Sequence, residues 1–265
     1  MDRAEKLQGL KKKLADKEKI LISFSGGVDS SLLAKIASDV LGENALCVIL
    51  DSETMPKSEL ENAKGLARSL GINYRVARYS ILRDPDFIKN PPNRCYLCKK
   101  ESARMLKILA AEKGISCIAD GVNLSDRGNY RPGILASDEE GIWHPFIESG
   151  ISKEDIREIA KQMGLNIWSK PSSACLASRI PYGDEITGDN LTMVEKAEDH
   201  LKDLGLRQVR VRVHGRVARI EVLEEDMDKV LRSKDKILKE LKDAGFKYVA
   251  LDLQGFRSGS MNEVL

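Results

Sequence analysis

The chain has 265 residues, 43 Lys and Arg against 41 Asp and Glu for a formal charge of +2, and 42% apolar with 32% charged residues. This is the composition of a soluble globular protein with room for one large domain or a large and a small one, and it gives no bulk signal for nucleic acid or membrane. No apolar run approaches the ~20 residues of a spanning helix, the charged amino terminus lacks a signal-peptide core, and five cysteines are too few for a secreted disulfide scaffold, so a cytoplasmic protein is expected.

Leu7, Leu10 and Leu14 recur at helical spacing and predict an amphipathic first helix. An apolar run over 19–24 follows, then Gly26-Gly27 and a helical stretch over 30–41. A second apolar run over 45–50 ends on Asp51. Helical patterns over 58–70, 99–113 and 153–163 alternate with strand-like runs over 73–77, 116–120 and 166–168. Short apolar strands between helices predict a parallel sheet covered on both faces. After Lys170 the texture changes. A loop rich in Ser, Pro and Gly leads to a helix over 190–204, alternating strands over 208–214 and 217–223 with a turn at Gly215, a helix ending at Ala244 and a last strand over 248–253. The predicted organisation is an α/β domain over 1–180 and a small α+β domain over 181–265.

The most specific motif is Ser25-Gly26-Gly27-Val28-Asp29-Ser30-Ser31, between a strand and a helix. Adjacent glycines let backbone approach an anion, and the helix start supplies N–H groups and the positive dipole end. Three hydroxyls add donors, and Asp29 is placed to orient magnesium on phosphates. The plainer alternative is a glycine turn with a helix cap. The motif resembles the loop of PP-loop ATP pyrophosphatases, which holds the pyrophosphate of ATP while a substrate is adenylated. That resemblance implies ATP on Ser25, Gly26, Gly27, Asp29, Ser30 and Ser31, with adenine beside Asp51 and Ser52.

Cys47 and Cys117 lie in apolar runs and read as buried small hydrophobes. Cys95 and Cys98 form a C-x-x-C ahead of a helix, and Cys175 sits in a loop near Arg179. Three loop thiols fit structural zinc with a fourth ligand from His144, His200 or His214, a redox pair, or an iron–sulfur cluster with one open iron. In the strand Val209–His214, valines alternate with Arg210, Arg212 and His214. Burial of the apolar faces leaves Arg210, Arg212, Arg219 and Glu221 on one open surface. That face suits a phosphate or carboxylate, or it is a solvated face of cross-strand ion pairs.

Taken together, the phosphate loop, Asp120-Gly121 with Asn129-Tyr130-Arg131-Pro132-Gly133, Ser178-Arg179-Ile180-Pro181-Tyr182-Gly183, Arg210 with Arg212, Arg219 with Glu221, and Leu251-Asp252-Leu253 with Gly255-Phe256-Arg257-Ser258-Gly259 look like the ATP-dependent sulfur transferases of the LarE type. The resemblance runs nearly end to end. It implies an adenine nucleotide alpha hydrolase-like fold and a pyridinium dicarboxylate mononucleotide substrate. Its carboxylates are adenylated and converted to thiocarboxylates in nickel-pincer nucleotide cofactor synthesis, which serves lactate racemase. By position, Cys175 matches the family's reactive cysteine, Arg210 and Arg212 the substrate-phosphate arginines, and Glu221 the acid beside them.

Sacrificial members lack the C-x-x-C. Its presence here resembles the branch with a [4Fe-4S] cluster on three cysteines, which implies Cys95, Cys98 and Cys175 as ligands, an external sulfur donor and catalytic turnover. ATP, magnesium and the cluster are thus the implied cofactors, and a homo-oligomer the implied assembly. The alternatives are sulfur donated by Cys175 itself and a tRNA thiolation enzyme. The latter wants an extended basic surface, whereas the low net charge fits no nucleic acid partner.

Overall fold

The computed structural model describes residues 2–127, 132–170, 174–257 and 259–263. In chain order the elements are α1 (Arg3–Ala15), β1 (Ile20–Ser23), α2 (Val28–Leu41), β2 (Ala45–Asp51), α3 (Lys57–Ser69), β3 (Tyr74–Arg78), α4 (Pro85–Ile88), α5 (Arg94–Glu112), β4 (Cys117–Ala119), α6 (Pro132–Glu139), α7 (Pro145–Glu148), α8 (Lys153–Gln162), α9 (Gly188–Asp203), β5 (Val209–His214), β6 (Val217–Val222), α10 (Met227–Arg232), α11 (Lys234–Asp243) and β7 (Tyr248–Leu251). They divide into two compact units, Met1–Ser80 with Cys95–Ser173, and Ile81–Arg94 with Ala174–Leu265. No helix among the described residues is long and apolar enough to cross a membrane.

The first unit is built on a parallel sheet of order β3-β2-β1-β4. Its inner strands, β1 and β2, are apolar on both faces because both are covered, while the edge strand β3 carries the exposed Arg75 and Arg78. Ile20, Ile22, Cys47 and Ile49 enter one core with Leu32, Leu33 and Ile36 of α2, Ala63 and Ala67 of α3 and Ile156 and Ile159 of α8. Leu21, Val48 and Ile118 point the other way, onto Ala103, Leu106 and Ala110 of α5. Helix starts are set locally: Asp2 with Glu5 and Ser152 with Asp155 form capping boxes on α1 and α8.

The strand expected over 166–168 is a 3-10 turn, Asn166–Ser169, with Trp168 exposed. The place beside β4 is taken instead by Trp143, which bridges Ala119, donates its N–H to Ile118 O and accepts from Asp120 N.

The second unit pairs β5 and β6 antiparallel about Gly215, whose φ is +57° as the tight turn requires, and adds β7 parallel to β6. Val209, Val211, Val213, Ala218, Ile220 and Val222 are buried, as are Val194, Ala197 and Leu201 of α9 and Ile237 and Leu241 of α11. The expected helix ending at Ala244 is two, α10 and α11, parted at Ser233.

This unit is not one continuous stretch from 181. Residues 81–94 belong to it, and its later segment starts at Ala174. Asn90 is the tie. It is fully buried at a left-handed φ of +54°, and its amide donates to Ile180 O and Pro181 O at 3.2 and 2.6 Å. Gly183 N donates back to Asn90 O and Ile186 N to Ile88 O.

Candidate active site

At the end of β1 the chain turns through Ser25, Gly26 and Gly27 into α2. Gly26 has φ +71°, and a Cβ there would lie 2.9 Å from Ala63, so glycine is required. Gly27 caps α2 without a side-chain hydrogen bond, which leaves first-turn N–H groups and the positive dipole end for an anion. Ser30 Oγ accepts from Ser25 N at 3.2 Å, donates to Gly27 O at 3.2 Å and lies 3.1 Å from Ser25 Oγ. Ser31 Oγ is buried with no hydrogen-bond partner.

Two lysines that carry no motif in the sequence converge on this loop. Lys153 Nζ holds both carboxylate oxygens of Asp29, at 2.7 and 2.6 Å. Lys170 Nζ donates to Glu59 Oε2 at 2.9 Å and to Gly26 O at 3.4 Å.

The C-terminal edge of the sheet carries the other expected residues of this unit. Asp51 ends β2 and accepts from Arg78 at 2.9 Å, and Ser52 Oγ lies 3.1 Å from Thr54 Oγ1. Cys95 and Cys98, expected in a loop ahead of a helix over 99–113, lie within α5 itself, which starts at Arg94, and being three apart they share one face. The Tyr79 hydroxyl is 2.8 Å from Ser102 Oγ, which donates to Cys98 O at 2.8 Å. Burial, and after it Cys98, push that phenol above its ordinary range.

Lys99 Nζ donates to Asp120 Oδ2 at 2.9 Å. Asp120 is buried and also meets His144 Nδ1 at 2.7 Å, Val122 N at 3.1 Å and Ser137 Oγ at 3.4 Å. Burial alone raises the pKa of this carboxyl, but the His144 hydrogen bond and the Lys99 charge outweigh it and hold it at about 2. The next residue, Gly121, lies so close to α2 that a Cβ would stand 2.8 Å from Ser30 N. A continuous run of contacts therefore joins the loop, Gly121, Asp120, Lys99 and the Cys98 turn.

In the second unit, Arg179 is buried against Glu198 through two 2.8 Å hydrogen bonds, and its Nη1 donates to Ala174 O and Cys175 O at 2.9 Å. Ser178 Oγ donates to Cys175 O at 2.7 Å. Cys175 is thus fixed through its carbonyl while its side chain is exposed.

The hairpin does not present its charged residues on one open surface. Arg212 and Glu221 are 5% and 0% exposed and form a bidentate pair at 3.0 and 2.8 Å. Ser178 O and the Ser260 hydroxyl cover them, at 2.7 and 3.0 Å from Arg212. Arg219 donates to Glu221 at 3.0 Å. Arg210 differs: its guanidinium lies over Phe256 at 5.2 Å, donates to Val209 O, and has no carboxylate partner among the described residues. Burial, reinforced by Arg179, pushes its pKa down to about 10.

None of the five cysteines is in a disulfide, and burial pushes the Cys47 thiol up to about 12. Among the described residues no group of three His, Cys, Asp or Glu side chains is gathered to hold a metal ion. Cys95 and Cys98 belong to the first unit and Cys175 to the second. Asn129, Tyr130 and Arg131, the neighbours Ser172 and Ser173 of the cysteine loop, and Ser258 lie outside the described residues.

A family model described as NAD synthase matches residues 4–83. The chain is 42% identical over 98% of its length, and 98% of the relative's, to an uncharacterized protein of Synechocystis sp.. It is 39% identical, over 95% of this chain and 92% of the other, to pyridinium-3,5-bisthiocarboxylic acid mononucleotide synthase of Lactiplantibacillus plantarum. An uncharacterized protein of Methanocaldococcus jannaschii is 36% identical over 96% of this chain and 98% of its own.

Proposed function

We infer a function from one premise: the chain belongs to the LarE-type family of PP-loop, ATP-dependent sulfur transferases, the family of the Lactiplantibacillus plantarum synthase. Its substrate on this reading is a pyridinium-3,5-dicarboxylate mononucleotide and its product the thiocarboxylate, an intermediate toward a nickel-pincer nucleotide cofactor such as lactate racemase uses. A carboxylate oxygen attacks the α-phosphorus of ATP, the bond to the bridging oxygen breaks and pyrophosphate leaves. A sulfur nucleophile then attacks the acyl carbon, and AMP departs with the bonding pair. The cycle repeats at the second carboxylate.

The α2 amino terminus with Ser25, Gly26, Gly27, Ser30 and Ser31 takes the pyrophosphate portion, and Asp51 and Ser52 flank the nucleoside. Asp29 is the loop's carboxylate donor and fits a magnesium ion, which neutralises phosphate charge when bound. Arg210, half-buried and without an acid partner among the described residues, supplies donors for the substrate phosphate, on a strand braced by the Arg212–Glu221 pair. The observation that supports the reading is the run from Ser30 through Gly121 and Asp120 to Lys99, the neighbour of Cys98 on α5, which links the Ser25–Ser31 loop to the helix that carries the C-x-x-C. Holding both reactants there is most of what the reaction requires.

The three exposed or half-exposed thiols are the donor chemistry of an iron–sulfur site. Cys95, Cys98 and Cys175 would hold a [4Fe-4S] cluster, which when bound offers an iron without a protein ligand for an extra sulfide. Sulfur then comes from an external donor and Cys175 survives turnover. The family reading also carries a homo-oligomer. A second route is favoured by the exposure of Cys175: its thiolate displaces AMP to give a thioester, loss of the Cα proton breaks Cβ–S, and dehydroalanine remains.

The test is anaerobic purification with iron and sulfide analysis, followed by turnover and intact-mass measurement. AMP and pyrophosphate release that depends on the dicarboxylate is expected, with iron bound and the chain mass unchanged. Iron-free protein that loses the elements of hydrogen sulfide from Cys175 selects the second route. Nucleotide release driven equally well by tRNA would sink the small-molecule reading.

A further inference from the structure

Asp29 is the residue the phosphate loop offers to a divalent cation, yet it is already occupied. Lys153 Nζ bridges both of its carboxylate oxygens at 2.7 and 2.6 Å, and the two side chains are only 35% and 28% exposed. The lysine is held in place from behind. It is the first residue of α8, its backbone N donates to Ser125 Oγ at 3.1 Å, and the Ser152–Asp155 capping box fixes the helix start. Asp155, two residues along the same helix, is committed to Lys6 and Arg3 at 2.7 and 3.3 Å and does not compete for it. Across the loop the second lysine, Lys170, is engaged by Glu59 and Gly26 O.

A carboxylate whose charge is cancelled and whose two oxygens are both engaged offers a bare divalent cation little. A metal–nucleotide complex is different, because its phosphate oxygens supply the other ligands and its negative charge draws the displaced ammonium. We propose that Lys153 is a placeholder cation: it occupies Asp29 in the nucleotide-free site, yields the carboxylate to the metal that arrives on ATP, and turns its ammonium to the phosphates. Lys153 thereby makes metal binding conditional on nucleotide. The inference rests on the reading of Ser25–Ser31 as an ATP loop and assigns a residue to it that has no place in the motif.

The test uses the whole chain and Mn2+ as the probe, with free Mn2+ read by its electron paramagnetic resonance signal and binding of a non-hydrolysable ATP analogue read separately. Wild type is expected to take up Mn2+ only with the analogue present. Lys153→Met and Lys153→Gln are expected to gain a nucleotide-independent Mn2+ site that Asp29→Asn removes again, and to bind the analogue about tenfold more weakly. Lys153→Arg restores the wild-type pattern. Equal Mn2+ uptake without nucleotide by wild type and both neutral variants, while the analogue binds, overturns this proposal alone. Failure of wild type to bind the analogue overturns the functional reading and the proposal with it.

Discussion

Arg210 and Arg212 stand two residues apart on β5, but only Arg212 is spent inside the fold. Its guanidinium is saturated by Glu221, Ser178 O and Ser260, whereas Arg210 meets one backbone carbonyl and the face of Phe256. Arg210→Ala should therefore cost only about 1 kcal/mol of stability, the worth of its Phe256 contact, and raise the KM for the mononucleotide roughly ten- to hundredfold, the worth of a charge-assisted contact. Arg212→Ala leaves the buried Glu221 only Arg219 and Ser260 as partners among the described residues and should cost about 3 kcal/mol in urea unfolding. Equal stability loss in both variants would refute the distinction.

Asp120 links stability to pH. Its pKa is lowered from 3.8 to about 2 in the folded chain, so its contribution is fully present above the unfolded value and disappears as the pH falls through the folded one. The shift corresponds to about 2 kcal/mol. Wild type and Asp120→Asn should differ by a constant amount at neutral pH, and the gap should close between roughly pH 5 and pH 2. Denaturant midpoints measured across that range check it, and a gap that stays constant contradicts the assignment.

Gly26 and Gly121 are required for different reasons. Gly26→Ala meets both a left-handed backbone and the Ala63 contact, and Gly121→Ala pushes on Ser30 N. Each should cost about 1–3 kcal/mol, and each should weaken ATP binding more than tenfold because the strain falls on the α2 amino terminus. Nucleotide titration by fluorescence reads the effect. Gly141→Ala, whose Cβ would meet nothing, is the control for backbone strain alone.

The thiols should separate by environment. In metal-free native protein, iodoacetamide should label Cys95 and Cys175 rapidly and leave Cys47 unmodified until unfolding, since burial raises the Cys47 thiol to about 12. Serine at 95, 98 or 175 should each lower the iron bound on anaerobic reconstitution, and Cys47→Ala should leave it unchanged. Peptide mapping by mass spectrometry and iron analysis check both statements.

What could be read from sequence was what is local. The Gly26-Gly27 turn and the alternation of Val209, Val211 and Val213 carry their own geometry, and the structure places them as their patterns require, whereas Cys95 and Cys98, expected ahead of the helix, lie within it. What could not be read was partnership over distance. Lys153 is 124 residues from Asp29, and nothing in an amphipathic helix start marks one lysine among several. The Arg212 face read as open because alternation says which side a residue takes, not whether another segment covers it; Ser178 and Ser260 do. The run over 166–168 read as a strand because three residues hold no period that tells a strand from a turn.

The membership of Ile81–Arg94 in the second unit bears on how that unit can be made in isolation. A fragment beginning at 174 or 181 would lack α4 and Asn90, leaving Ile180 O and Pro181 O without their buried donor. A self-sufficient recombinant version would have to graft 81–94 ahead of 174 through a flexible tether, so that Asn90 is supplied with the loop it holds.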